Sequence, residues 1–191
     1  MEEDDDHVGQ LLALHQVDPG QGLSWERARS LTTSQGSNVQ TPPLKLPAFI
    51  CCLLPCLMST PGMRRFQAAI PITAIVLRDG EWCDLDTSAL VVSDIVRLER
   101  GAAAPADLRV LEANDDFLID DEALEGRDAT VAAKKRSDFV PLTARCVRGD
   151  ALLVVAAIGD DVELVRRIRQ GNWPPPGAPP LEPLVEDYDY V

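Results

Sequence analysis

LVVSDIVRLERGAAAPADLRVLEANDDFLIDDEALEGRDATV, residues 90–131, is the stretch whose reading decides the fold. Val96 and Leu98 alternate with Arg97 and Glu99, the period of two expected of a strand with one buried face. Phe117-Leu118-Ile119 reads as a second core strand. Upstream, Asp79-Gly80 lies between two β-prone runs, a strong hairpin signal because both residue types tolerate positive φ. Downstream, Leu152-Leu153-Val154-Val155 reads as another core strand. Asp160-Asp161-Val162-Glu163 then reads as a capping box opening a short helix. Arg166, Arg167 and Arg169 suit the carboxyl end of that helix dipole ahead of Gly171. The expected fold is mainly β with flanking helices (α+β), a β-sandwich or distorted jelly roll.

The same stretch carries a family resemblance. Asp94-Ile95-Val96-Arg97-Leu98, Gly101, Pro105-Ala106-Asp107, Arg109 and Leu111-Glu112 stand at fixed spacing, and Asp120, Ala123 and Leu124 follow in register. This resembles the actuator domain of P-type cation-transporting ATPases, most closely the proton-pump branch. Val76-Leu77-Arg78-Asp79-Gly80-Glu81-Trp82 is similar to that family's V-x-R-D-G-x-W hairpin, and VVAAIGDD at 154–161 with Glu163-Leu164 is similar to the segment closing the domain. The family's T-G-E-S loop falls on Glu125-Gly126-Arg127-Asp128, where only the glycine is kept. In the family the glutamate of that loop positions a water on an aspartyl-phosphate. Its place here is taken by Arg127, a cation with no acceptor lone pair. Glu125 lies two residues before that position and Asp128 one after it, and neither is expected to substitute. Further departures are Val92-Ser93 for Pro-Gly, Ala102 for Asp, and Ala129-Thr130 for Leu-Pro.

The Asp-Lys-Thr-Gly-Thr phosphorylation motif does not occur in the sequence. The resemblance therefore implies a truncated, non-catalytic relative of a pump rather than an ATPase by itself. It implies docking on a full-length P-type pump or its phosphorylation domain. Two rival readings stay open: a free-standing interaction module using its carboxyl-terminal tail, and the front portion of a longer pump chain.

Composition bounds these readings. The net charge is -13, but Glu2, Glu3, Asp4, Asp5 and Asp6 together with Glu182, Glu186, Asp187 and Asp189 supply nine of the acids. The remaining 22 acids face 18 basic residues, and no basic stripe is left to neutralise a nucleic-acid backbone. Five cysteines (Cys51, Cys52, Cys56, Cys83, Cys146) make an odd count without paired C-x-x-C spacing, and the start of the chain lacks a signal-peptide pattern. A reducing compartment follows, with the chain cytoplasmic or on the cytosolic face of a membrane rather than secreted. Asn114-Asp115-Asp116 with Asp120, Asp121 and Glu122 brings oxygen donors together, but without the glycine and terminal glutamate of an EF-hand loop. A solvated acidic rim is the better reading, and no metal or cofactor is expected.

Along the chain, residues 1–35 form an acidic start and helical segment. There Val8, Leu11, Leu12 and Leu14 mark one helix, and Ser24 caps a second carrying Trp25, Ala28 and Leu31. Residues 36–65 read as a Pro-containing linker whose run LPAFICCLLPCLM (46–58) is too short, and too interrupted by Pro47 and Pro55, to span a bilayer. It reads as a buried or interfacial apolar stretch. Surface association through acylated Cys51 or Cys52 is the second reading, so membrane contact stays open. Residues 66–171 are the β-domain with its closing helix, and 172–191 a disordered, Pro-rich acidic tail. Two P-x-x-P spacings, Pro176 to Pro179 and Pro180 to Pro183, offer an SH3-type domain a ligand, although no basic residue accompanies them.

Overall fold

The computed structural model describes residues 3–43, 61–126 and 131–175. The apolar run at 46–58, Arg127, Asp128 and the tail from Pro176 lie outside the described residues.

The Asp79-Gly80 turn works as the sequence predicts. It joins β1 (Thr73–Arg78) to β2 (Glu81–Asp86) with φ of 50° and 79° at its two central residues, the paired left-handed conformation of a tight hairpin. β3 (Ile95–Glu99), β4 (Asp107–Ala113), β7 (Phe139–Val140) and β9 (Asp150–Ala157) complete a six-stranded antiparallel sheet in the order β2-β1-β3-β9-β4-β7. A second antiparallel sheet has three strands in the order β6-β5-β8, with β5 spanning Leu118–Asp120, β6 Ala132–Ala133 and β8 Arg145–Arg148.

Alternation along the strands divides the interior into two cores. Val76, Val96, Leu98, Leu108, Val110, Leu153 and Val155 face the smaller sheet and pack with Phe117, Ile119, Ala144 and Cys146. Their neighbours Leu77, Ile95, Leu111 and Val154 point to the opposite face. Two N-terminal helices cover that face: α1 (Glu3–His15) supplies Val8, and α2 (Trp25–Gln35) supplies Ala28 and Leu31. The helical segment read from the sequence is thus a third layer on the sheet. Leu14 escapes this layer and is 65% exposed, because the helix buries Val8 and leaves that position outside. Ser24 caps α2 as expected, its Oγ accepting the Arg27 N–H at 3.1 Å.

A third core closes one end of the domain. It joins Phe66 of α3 (Pro61–Ala69), Leu124 of α4 (Glu122–Glu125), Leu142, Val162, Trp173, and Leu164 and Val165 of α5 (Glu163–Arg169). The ring planes of Phe66 and Trp173 meet edge to face, 6.2 Å between centroids.

One sequence reading is corrected at α5 and another is extended. There is no capping box: Val162 holds the cap position and no side chain bonds there. The Glu163 N–H is accepted instead by Asp107 Oδ2 at 2.7 Å, an acceptor delivered by β4. The arginines do more than complement the dipole, since each has a discrete partner. Arg166 bonds the Asp161 carbonyl, Arg169 bonds Asp160, and Arg167 reaches Glu163 and Glu125.

Residues 37–41 run across the domain as a strap. Asn38 is buried and uses its whole amide: Nδ2 donates to the Thr87 and Pro105 carbonyls, while Oδ1 accepts from Gln40 Nε2 and the Gly159 N–H. Thr41 adds two bonds to the Asp160 carboxylate, at 2.7 and 2.8 Å. Against the upward push of burial, the Thr41 and Arg169 bonds hold that carboxyl below its usual range.

His15 gives the helical layer a pH dependence. Its Nε2 lies 3.2 Å from Gln35 Nε2, linking the ends of α1 and α2. Burial, then the Arg27 charge, lowers its pKa below the ordinary 6.5. The unfolded chain therefore binds the proton more readily, and stability present above about pH 6.5 is lost as pH falls through the folded pKa. Denaturant midpoints should fall between about pH 7 and 5, and His15→Gln should flatten that profile.

Candidate functional site

The loop singled out by the sequence begins where α4 ends. Asp120 Oδ1 accepts the Glu122 N–H at 2.9 Å and starts the helix. Leu124 and Glu125 both donate their N–H groups to the Asp121 carbonyl. Gly126 then leaves with φ 81°, a left-handed conformation that glycine adopts without a Cβ clash, while its N–H closes on Glu122 O. Leu124 is 2% exposed in the third core, so one side of this single turn is fixed by packing.

Polar contacts fix the other side. Arg167 Nη2 donates to Glu125 Oε1 at 2.6 Å, Nη1 to the Leu124 carbonyl at 3.1 Å, and Nε to Glu163 Oε1 at 3.1 Å. Trp173 Nε1 donates to the Ala123 carbonyl at 3.1 Å. Of the four loop residues, the structure places Glu125 and Gly126 together at the end of α4. The Glu125 carboxylate is committed to a guanidinium rather than standing free to orient water. Burial, then the negative charge of Glu125, pushes the Asp121 carboxyl up.

The other anchors of the sequence pattern turn out to be buried ties. Arg78 Nη2 meets Asp94 Oδ2 at 2.7 Å and Nε meets Oδ1 at 3.1 Å, with 4% and 0% of the two side chains exposed. Arg78 also donates to the Ala89 carbonyl and lies 4.9 Å from the centre of the Trp25 ring, while Asp94 accepts the Val91 N–H. Asp107, 1% exposed, accepts from the N–H groups of Leu142 and Glu163 at 2.9 and 2.7 Å. Burial pushes the carboxyls of Asp94 and Asp107 upward, and the hydrogen bonds each receives act against it. Each of these groups is engaged inside the fold, by its ion-pair partner or by backbone N–H and carbonyl groups.

Two members of the acidic rim have partners outside it: Asn114 bonds Asp150, and Asp116 pairs with Arg148 at 3.1 Å. Among the described residues no group of three or more His, Cys, Asp or Glu is placed to hold a metal ion. Cys83 and Cys146 are free thiols whose pKa values burial raises. No helix of the described residues is long and apolar enough to cross a membrane.

Residues 68–171, from the end of α3 through α5, match the P-type ATPase actuator domain family. The chain belongs to that family. Among curated proteins, the chain is 32% identical over 121 residues to plasma membrane ATPase 2 of Saccharomyces cerevisiae, covering 59% of this chain and 13% of that protein. It is 36% identical over 96 residues to the plasma membrane ATPase of Neurospora crassa, covering 50% of this chain and 10% of the relative. The chain thus spans only a small fraction of these relatives' length. A crystal structure of a zinc-transporting PIB-type ATPase in the E2.Pi state superposes with a TM-score of 0.50 at 24% identity, over 63% of this chain and 20% of that one, a likeness of fold. The two sheets and the closing helix lie within the matched residues, whereas α1 and α2 precede them, and Glu125-Gly126 begins the loop that the sequence reading singled out.

Arg167 and Trp173 hold the α4 turn, contacts that the sequence reading did not assign to them. The i,i+4 spacing of Glu163 and Arg167 was visible, but nothing in the sequence marks Ala123, Leu124 or Glu125 as their neighbours.

Proposed function

We propose that this chain is a non-catalytic relative of P-type proton or cation pumps whose actuator domain docks on the phosphorylation domain of a full pump, at the cytosolic face of the membrane. The observation that carries the reading is the exchange of acceptor for cation in the loop. Arg127 stands where the resembling pattern has glutamate, and the nearest described carboxylate, Glu125, is held by Arg167 at 2.6 Å. A guanidinium stays protonated and offers no lone pair, so water attack on an aspartyl-phosphate finds no base here. Such a domain occupies the phosphorylation site without hydrolysing its contents.

The test adds the protein in trans to a purified proton pump and follows phosphoenzyme decay. Arg127→Glu is expected to speed decay relative to the unmodified chain, because the restored carboxylate acts where the loop docks. Decay that neither form changes overturns the docking reading.

A second reading is favoured by the coverage of only 13% and 10% of the two relatives: the chain is the front part of a longer pump. An immunoblot of fractionated source cells with an antibody to residues 94–170 separates the two by size, a band near 20.8 kDa against one several times heavier.

A further inference from the structure

We infer that Arg167 is a three-point clamp that holds the single turn of α4 in place. Its use in docking rests on the function proposed above, whereas the clamp itself rests on geometry alone.

α4 is a single turn of four residues, too short to persist without outside support. The carbonyls at the end of such a turn have no partners within the helix. Two of them are satisfied from outside: Ala123 O by the Trp173 indole N–H and Leu124 O by Arg167 Nη1. Arg167 Nη2 holds the Glu125 side chain, and Nε returns to Glu163 on the arginine's own helix, which fixes the guanidinium plane. All three guanidinium nitrogens are engaged. A lysine ammonium, a compact point charge, cannot span a carboxylate, a carbonyl and a second carboxylate in one plane. Trp173 is itself packed edge to face against Phe66 in the third core, so the turn is held by Trp173 as well as by Arg167.

The residue gripped is one at which this chain departs from the resembling pattern. Glu125 occupies the position of the pattern's threonine, and only a carboxylate there takes the short charge-assisted bond from Arg167. The same loop that gains Arg127 also gains an ionic tether immediately before its glycine.

Hydrogen exchange of the full chain, read by mass spectrometry, tests the clamp. Arg167→Met is expected to speed exchange of the amides of residues 122–126 by about tenfold, with residues 150–157 of the central sheet unchanged. Glu125→Thr should speed it by about threefold, the smaller effect of losing one partly exposed pair. Arg167→Lys should stay close to Arg167→Met, and the exchange Glu125→Arg with Arg167→Glu should recover part of the protection. Exchange at 122–126 within about twofold of the unmodified chain in Arg167→Met overturns the clamp, as does an equal acceleration at 150–157, which would mean general loosening. This result is independent of docking: the trans assay with Arg127→Glu can fail while the exchange pattern stands, and the reverse.

Discussion

Asp94→Ala should cost about 3–5 kcal/mol of folding stability, read as a lower urea midpoint with an unchanged slope. The size follows from what the substitution leaves behind. Arg78 is 4% exposed and keeps its charge, yet its two bonds to the carboxylate are gone and only the Ala89 carbonyl and the Trp25 ring remain. The Val91 N–H loses its acceptor at the same time. Replacing both partners, Arg78→Met with Asp94→Leu, removes the stranded charge and should recover most of the loss, because a buried ion pair often does no better than an apolar pair of similar volume. A single-variant loss under about 1 kcal/mol would show that water reaches the guanidinium and that the pair is not the tie described here.

Asp107→Ala should cost about 3 kcal/mol, and the damage should be local before it is global. One carboxylate accepts two backbone N–H groups, from Leu142 and from Glu163 at the start of α5, and both are left without a partner. The third core depends on α5, so Leu164, Val165 and Trp173 should loosen with it. Asp107→Asn keeps one acceptor oxygen and should lose about half as much. Amide exchange across 163–169 that stays at the unmodified rate in Asp107→Ala would refute the cap.

These two carboxylates also mark the limit of what the sequence shows. The hairpin at Asp79-Gly80 and the alternation of Val96 and Leu98 were legible, because turn chemistry and a period of two are local properties. The N-terminal helices were legible for the same reason, as was the Ser24 cap. The cap of α5 was not, because its acceptor is 56 positions away while a plausible local box sat beside it. Asn38 gave no signal at all, although it makes four bonds, since an asparagine in a polar stretch looks the same paired or unpaired. At the candidate site family spacing offered a loop at Glu125 to Asp128, but the grip of Arg167 on the α4 turn was not legible. The arginines appeared to serve a helix end, and only folding shows that Glu125, 42 positions earlier, lies within 2.6 Å.

The strap formed by residues 37–41 decides how the residues before position 44 belong to the fold. Thr41 is bonded to Asp160, and Phe66 is buried beside Trp173, so both are moored to the same body. α1 and α2 meet the sheet directly through the second core. In topological terms residues 3–43 belong to the same folded unit as the sheet, and are not a separate arm attached to it.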